Sequence, residues 1–388
     1  MKKAKSILIG GISMAIVFSL WVLSGCTSNS TPAPVPTKNL IDLMSSSAYQ
    51  QSASVTPDKA LDSLVKYISI YPDLVTLLSG TGPYTVFAPS NTAFISLLAT
   101  PGFPANIKQI NPKIIEGVLS YHIVAGQKLQ ASFTSGLALP TLYTDPVSSA
   151  VQNITINSDG TLKTGSTNQA IQIVLGDQKA TNGVFDITAS VLIPPTVGAT
   201  LTPILGTVAG TVMLGASFSD LATIIMAADA NFAENASTGT FKISTWLAMP
   251  VSKPGALTMN SAGITFFATP NAVFAAIAQQ QSISEAALIT ALSTNPDNAR
   301  ALLLNHLVTT GKYNTTGGGS NPTAIQFTNG LNLTTLGKAL QIGVSTPGTS
   351  TGPYGVTMQN STPSGAYIAQ EIGGLSNGSL EAIAGLLK

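Results

Sequence analysis

Cysteine, histidine and charge are all scarce in this 388-residue chain, and each shortage removes a class of function. Its single cysteine, Cys26, has no partner for an internal disulfide, so stability must come from packed cores. There are only two histidines, His122 and His306. A zinc site takes three or four His, Cys or carboxylate ligands. The acidic residues form no D-x-D or E-x-x-H pattern, and no D-x-[DN]-x-[DN]-G calcium loop is present. The expectation is no metal, no cofactor and no catalytic residue. Charged residues make up 9% of the chain, with a net charge of +1, against about a quarter in an ordinary domain. A surface built from Ser, Thr, Asn, Gln and Gly has no field to steer nucleic acid. Aromatics are only 6%, but hydrophobic residues are 44%, enough to fill large cores and to exclude a disordered chain.

What is present begins at the N-terminus. Lys2, Lys3 and Lys5 precede an uncharged apolar run from Ile7 to Val22, then Leu23-Ser24-Gly25-Cys26. A basic head, an apolar middle and a small-residue cleavage site read as a secretory signal. The Leu-Ser-Gly-Cys ending resembles the bacterial lipobox. That resemblance implies a diacylglyceryl group on the Cys26 thiol, cleavage before Cys26, and acylation of the new amine. The plainer alternative is a membrane-spanning anchor, since the run is nearly long enough to cross a bilayer. Two or more acyl chains anchor stably where one does not. Residues 1–25 are thus read as a lipoprotein signal peptide. Residues 26–38 are read as the lipidated cysteine and a Ser/Thr/Pro-rich tether. Thr27 stands where Asp often marks inner-membrane retention, which favours an outer membrane or cell surface within the envelope.

The rest of the chain repeats itself. Thr85-Val86-Phe87-Ala88-Pro89-Ser90-Asn91-Thr92-Ala93-Phe94 returns as Thr265-Phe266-Phe267-Ala268-Thr269-Pro270-Asn271-Ala272-Val273-Phe274, a shift of 180 (265 − 85). Leu119 to Val124 returns as Leu303 to Val308, a shift of 184 (306 − 122), and puts one histidine in each copy. Two matches in one order at nearly one offset mean a duplicated domain.

Each copy has the same grammar. Thr56 with Pro57 predicts a helix start, and Leu61, Leu64, Val65 and Ile68 form a helical stripe. Tyr84 to Ala88 predicts a buried strand, Ser90 or Asn91 a helix cap, and Asn111-Pro112 another helix. Ile154 and Ile156 alternate with polar residues before an Asp159-Gly160 turn. Ile171 to Leu175, Val184 to Ile187 and Val191 to Ile193 predict further strands. In the second copy Phe218 to Ile225 predicts a helix, Ile264 to Ala268 a strand, and Ser282 to Glu285 a capping box. Leu302 to His306 follows, then strands near Ile325, Leu340 and Val356. Helices first and strands later make an α+β order. The boundary falls in the Pro/Gly/Thr-rich stretch from Pro194 to Gly210.

These motifs in this order resemble the fasciclin (FAS1) domain. Thr85 to Phe94 is similar to that family's first motif and Tyr121-His122 to its Tyr-His motif. Asn182 to Ile187 and Val191 to Pro195 are similar to its closing strands. The resemblance is close over residues 39–196. It is weaker over 205–388, where Thr269-Pro270 replaces Pro-Ser and Asn305 replaces the tyrosine. There Asn231 to Ala262 looks inserted, and the closing strands fall around Tyr367 to Gly374. The resemblance implies two FAS1-like domains, each a β-wedge packed with helices, the second diverged. It also implies extracellular adhesion to protein or polysaccharide without catalysis.

Enzyme look-alikes fail on context. Gly348 to Gly352 matches G-x-S-x-G but lies between Pro347 and Pro353, not between a strand and a helix. Ser63-x-x-Lys66, Ser158-Asp159-Gly160 and Lys163-Thr164-Gly165 mimic the penicillin-binding serine enzymes, but the last two fall in one hairpin. Gly317 to Gly319 lacks the helix and lysine of a phosphate loop. Two readings of the histidines stay open. His122 shares the apolar face of Val118 and Leu119, which fits a buried histidine bonded to backbone. Alternatively Tyr121 and His122, with Asn305 and His306, form an adhesion surface. Three functions follow: a lipid-anchored adhesion module, a glycan-binding accessory lipoprotein for polymer uptake, and an enzyme of unrecognised type. Trp246, the one tryptophan after the signal, would mark the second if exposed.

Overall fold

The computed structural model describes residues 35–146, 148–164, 170–235, 237, 240–249, 263–314, 324–328, 330–337, 339–344, 354–358, 366–372 and 375–387. The signal segment, Cys26, most of the tether, Gly317–Gly319 and Gly348–Gly352 lie outside them. No described helix is long and apolar enough to cross a membrane.

In the first repeat, helices α1 (Leu40–Met44), α2 (Asp62–Ile68), α3 (Pro72–Ser79), α4 (Asn91–Leu98) and α5 (Pro112–Tyr121) accompany seven strands. The strands are β1 (Tyr84–Pro89), β2 (Ile123–Ala125), β3 (Ala138–Thr144), β4 (Val151–Ile156), β5 (Leu162–Thr164), β6 (Ile173–Ala180) and β7 (Gly183–Thr188), in sheet order β5-β4-β3-β2-β1-β7-β6. β1 is parallel to β7 and buried on both faces, as its unbroken apolar run requires. Val86, Ala88, Phe185 and Ile187 face the helices, where they join Leu64, Leu78 and Phe94 in one core. Phe87 points the other way into a second core with Tyr121, Val124, Leu139, Ile154 and Leu192.

The second repeat follows the connector α6 (Pro195–Leu201) with α7 (Val208–Leu214), α8 (Ser219–Asp229), α9 (Ile243–Ala248), α10 (Asn271–Gln280), α11 (Glu285–Ser293) and α12 (Pro296–Leu304). Its strands are β8 (Ile264–Ala268), β9 (Leu307–Val308), β10 (Tyr313–Asn314), β11 (Ile325–Gln326), β12 (Asn332–Thr334), β13 (Ala339–Val344), β14 (Tyr354–Met358), β15 (Ala366–Ile372) and β16 (Gly378–Ile383). The main sheet runs β12-β13-β14-β15-β16-β8-β9, with β8 parallel to β16. Both sheets curl until their ends meet. In the first, the Leu162–Ile171 bridge brings β5 to the segment leading into β6; in the second, the Val308–Thr335 bridge brings β9 to the end of β12. The two sheets are one closed arrangement, opened at different seams.

Several expectations are corrected. Thr56 and Pro57 make a turn rather than a helix start, because Lys59 N and Ala60 N both close on Thr56 O. The helix begins only at Asp62. Val191 to Ile193 is not a strand, since the Leu192 N–H is taken by a histidine ring rather than a ladder. The Pro194–Gly210 stretch is largely helical, and Ile204, Val208 and Ala209 enter the second repeat's core. The cap of α11 is Ser284, which accepts from Ala287 N, while Ser282 takes a left-handed turn at φ 57°. The strand parallel to β8 is 378–383, not 367–374. The stretch from Asn231 to Ala262 is not wholly an insertion, because it supplies α9, the counterpart of α3.

Pro36 to Lys388 forms one compact unit, yet each hydrophobic core draws on one repeat alone. The repeats meet through backbone. Ile110 bridges Gly215, and Asn111 N donates to Leu214 O at 2.6 Å. Gly102 (φ +77°) lies so close to the second repeat that a Cβ there would fall 2.5 Å from Gly206 N. Separate cores lead to an expected result: a fragment of residues 39–196 unfolds cooperatively in urea. A non-cooperative, dye-binding fragment would show that the two repeats depend on each other for folding.

Candidate functional site

Four polar side chains recur at matching places in the two repeats, all of them buried except Asn271, which is half-buried. Thr85 Oγ1 donates to Gly126 O (2.7 Å) and accepts from Lys128 N (2.8 Å). Thr265 does the same with Gly311 O (2.9 Å) and Tyr313 N (2.7 Å). Asn91 Oδ1 accepts from Ser63 N at the start of α2, and Asn271 Oδ1 from Asp220 N at the start of α8. Asn182 Oδ1 accepts from Leu40 N (2.8 Å), and its Nδ2 donates to Leu78 O (2.8 Å) and Gly80 O (2.7 Å). Asn377 repeats this with Val208 N (3.0 Å), Leu247 O (2.8 Å) and Met249 O (3.1 Å). Asn182 and Asn377 thus each tie the start of one helix and the end of another to the residue just before a strand, β7 or β16. Such terminal groups lack partners in their own helix and need them elsewhere.

The histidines are the fourth pair. His122 ends α5. Its Nδ1 donates to Val118 O (2.7 Å) and its Nε2 accepts from Leu192 N (2.9 Å). His306 Nδ1 donates to Phe267 O (2.7 Å), and Nε2 accepts from Leu387 N (3.1 Å). A carbonyl on one nitrogen and an amide N–H on the other fix the neutral tautomer. Burial pulls both histidines down to about 4, with the carbonyl bonds opposing. Neither ring has a nitrogen left for a reacting group. Tyr121 is also buried; its hydroxyl donates to Asn153 O (2.7 Å), and burial holds the phenol above its ordinary value. Asn305 is buried against Gly337, where a Cβ would lie 2.1 Å from its Oδ1. Tyr121, His122, Asn305 and His306 therefore offer no side-chain surface to a partner. Trp246 is 2% exposed and packs edge-on against Phe241, so it makes no platform for a sugar ring.

Two buried acids also match. Asp186 lies opposite Phe87, and Glu381 opposite Phe267, in the parallel strand pairs. Asp186 Oδ1 accepts from Asp177 N (2.6 Å); its Oδ2, and both oxygens of Glu381, have no partner among the described residues. Burial and the nearby Asp177 push Asp186 up to about 7. Burial and the Glu371 carboxylate push Glu381 up to about 9. A carboxyl that stays protonated is the way an interior tolerates such a group.

A cleft of about 370 Å³ opens where the repeats meet. Lys113 of α5 faces Asp220 of α8 and Glu285 of α11 across it. No described cluster of three or more His, Cys, Asp or Glu residues is placed to hold a metal.

Residues 59–194, most of the first repeat, match the family model of the fasciclin domain. The chain carries a fasciclin domain. It is 34% identical to protein sll1483 of Synechocystis sp. over 124 residues, covering 32% of this chain and 62% of that protein. It is 32% identical to the immunogenic protein MPB70 of Mycobacterium bovis over 116 residues, 30% of this chain and 52% of that one. The chain thus spans only about half to three fifths of these relatives' lengths. A solved FAS1 domain pair from the insect cell adhesion molecule fasciclin I is similar at 16% identity, covering 84% of this chain and 96% of that one at a TM-score of 0.29. In the second repeat the fasciclin reading rests on the matching latches. The Asn-Gly pair at 182–183 and again at 377–378, a shift of 195 (377 − 182), is the sequence signal that locates its closing strand.

Proposed function

We propose that this chain is a lipid-anchored, non-catalytic adhesion protein of the fasciclin type. It acts at the outer membrane or cell surface and binds an extracellular protein or polysaccharide. The observation that carries the reading is the fasciclin match over residues 59–194, in a chain whose histidines are both locked to backbone. The Leu23-Ser24-Gly25-Cys26 motif supports the anchor, and the Ser/Thr/Pro-rich tether after it would lift the repeats off the membrane. The scarcity of charge supports contacts made by neutral hydrogen bonds and apolar patches. Cys26→Ala is expected to abolish incorporation of a fatty-acid analogue and to release attached cells, while the uncut precursor persists. Equal label on wild type and variant would remove the anchor from this reading. Loss of label without loss of attachment would separate the anchor from the adhesion.

A further inference from the structure

The cleft between the repeats has a composition that adhesion does not explain. Its walls come from both repeats and mix two chemistries: Ala286 and Ile289 supply apolar surface, and Asp220, Glu285 and Lys113 supply charge. Three hydroxyls also line it, and all three have spent their protons on their own helices. Thr223 donates to Ser219 O (2.9 Å), Thr290 to Ala286 O (2.8 Å) and Ser293 to Ile289 O (2.6 Å). What they offer the cleft is lone pairs. With two carboxylates added, the lining is rich in acceptors, and its only cationic donor is the Lys113 ammonium. Two carboxyls thus line the cleft against one basic group.

An occupant that completes such a lining has several N–H donors on one positive centre and an apolar stem. Lys113 is itself such a group, so the cleft already accepts one ammonium. A volume of about 370 Å³ leaves room for another, and it falls in the range of small-molecule sites. We infer that the cleft between the two repeats binds an aliphatic primary ammonium, its head on Asp220 and Glu285 and its stem along Ile289. The source is either a free amine or a lysine side chain of another protein. This does not depend on which surface adheres. Burial, and the hydrogen bond and charge of Glu285, push Asp220 up to about 6, with Lys113 opposing. Acidification through that value removes the charge that holds the ligand.

The test uses the full chain with n-butylammonium as probe and N-butylacetamide as its neutral counterpart, read by saturation-transfer NMR. Saturable binding of the amine alone is expected. Lowering the pH from about 7.5 to about 5 is expected to weaken it about tenfold, as a carboxylate with a value near 6 becomes protonated. The double variant D220N/E285Q should lose binding while far-UV circular dichroism stays unchanged. Lys113→Ala removes the internal competitor and should tighten binding several-fold, an effect that damage to the fold would not produce. A second arm compares a short lysine peptide with its Nε-acetylated form. Binding of the unmodified peptide assigns a protein lysine as the source, and binding of butylammonium alone assigns a free amine. Equal signals from amine and amide would overturn the inference, as would an unaffected D220N/E285Q or weaker binding by Lys113→Ala.

Discussion

Asn182→Ala is expected to cost the first repeat most of its stability. The side chain holds three backbone groups from two distant places in the chain, Leu40 N at the start of α1 and Leu78 O and Gly80 O at the end of α3. Leaving a buried donor or acceptor unpaired costs about 1–3 kcal/mol, so the sum over three groups is roughly 3–9 kcal/mol before the site relaxes. A domain's whole stability is about 5–15 kcal/mol. Asn182→Asp should be no better, because a carboxylate turns acceptors toward two carbonyls. The second repeat has its own latch in Asn377, so urea unfolding should split into two steps, with only the first displaced. Asn377→Ala should displace the other step. A loss below about 1 kcal/mol for Asn182→Ala would mean that water replaces the amide and that the latch does not hold the repeat together.

Stability is expected to fall as pH rises from about 6.5 to about 8.5. Buried acids and buried histidines pull in opposite directions, and the signs decide where each acts. Glu381 and Asp186 have raised values, so the folded state keeps protons that the unfolded chain has released, and stability drops as pH climbs toward about 9 and about 7 respectively. Asp220 acts likewise toward about 6. The histidines have lowered values. Between about 4 and the ordinary 6.5 the unfolded chain binds protons that the folded one refuses, so their contribution rises with pH and then stops. Below about 6.5 the two sets oppose each other; above it only the acids act. One proton is worth about 1.4 kcal/mol per pH unit, which over two units corresponds to roughly 5–10 °C in a repeat of this size. Lys312, held below the ordinary lysine value by burial, opposes this only toward the lysine range. Glu381→Gln should flatten the alkaline slope of the second transition. An unchanged slope in that variant would place the proton elsewhere.

The parts of the fold that the sequence reveals are those governed by local rules. β1 and β8 were legible because a strand buried on both faces is an unbroken apolar run. The starts of α4 and α5 were legible because Ser90 and Asn111 cap them. His122 at the end of α5 was legible as a buried, backbone-bonded group from its place beside Val118 and Leu119. What failed was long-range. Leu192 reads as a strand residue, but its N–H goes to a ring 70 positions earlier. Pro194 to Gly210 has linker composition, but Val208 and Ala209 are drawn into a core assembled from the far end of the chain. Trp246 falls in a stretch that reads as an insertion, and only the Asn377 latch shows that its helix matches α3. Within the candidate site, Asp220, Glu285 and Lys113 carry no motif at all. They come together only where Lys113, near the start of α5, lines one cleft with residues of α8 and α11 from the other repeat.

On the proposed function, attachment runs through a neutral surface, tethered in many copies. Each contact of that kind is weak, but tethering many copies raises avidity by about 10²–10⁴ without new contacts. Small ions shorten the reach of charge from about 30 Å at 0.01 M to about 3 Å at 1 M, and they barely touch hydrogen bonds between uncharged groups or apolar burial. The deciding measurement is the shear needed to detach chain-coated beads from immobilised matrix protein or polysaccharide, at about 0.01 M and about 1 M salt. A detachment force that stays within about twofold, on beads that hold only when densely coated, is the predicted result. Beads that fall away at moderate salt would contradict it.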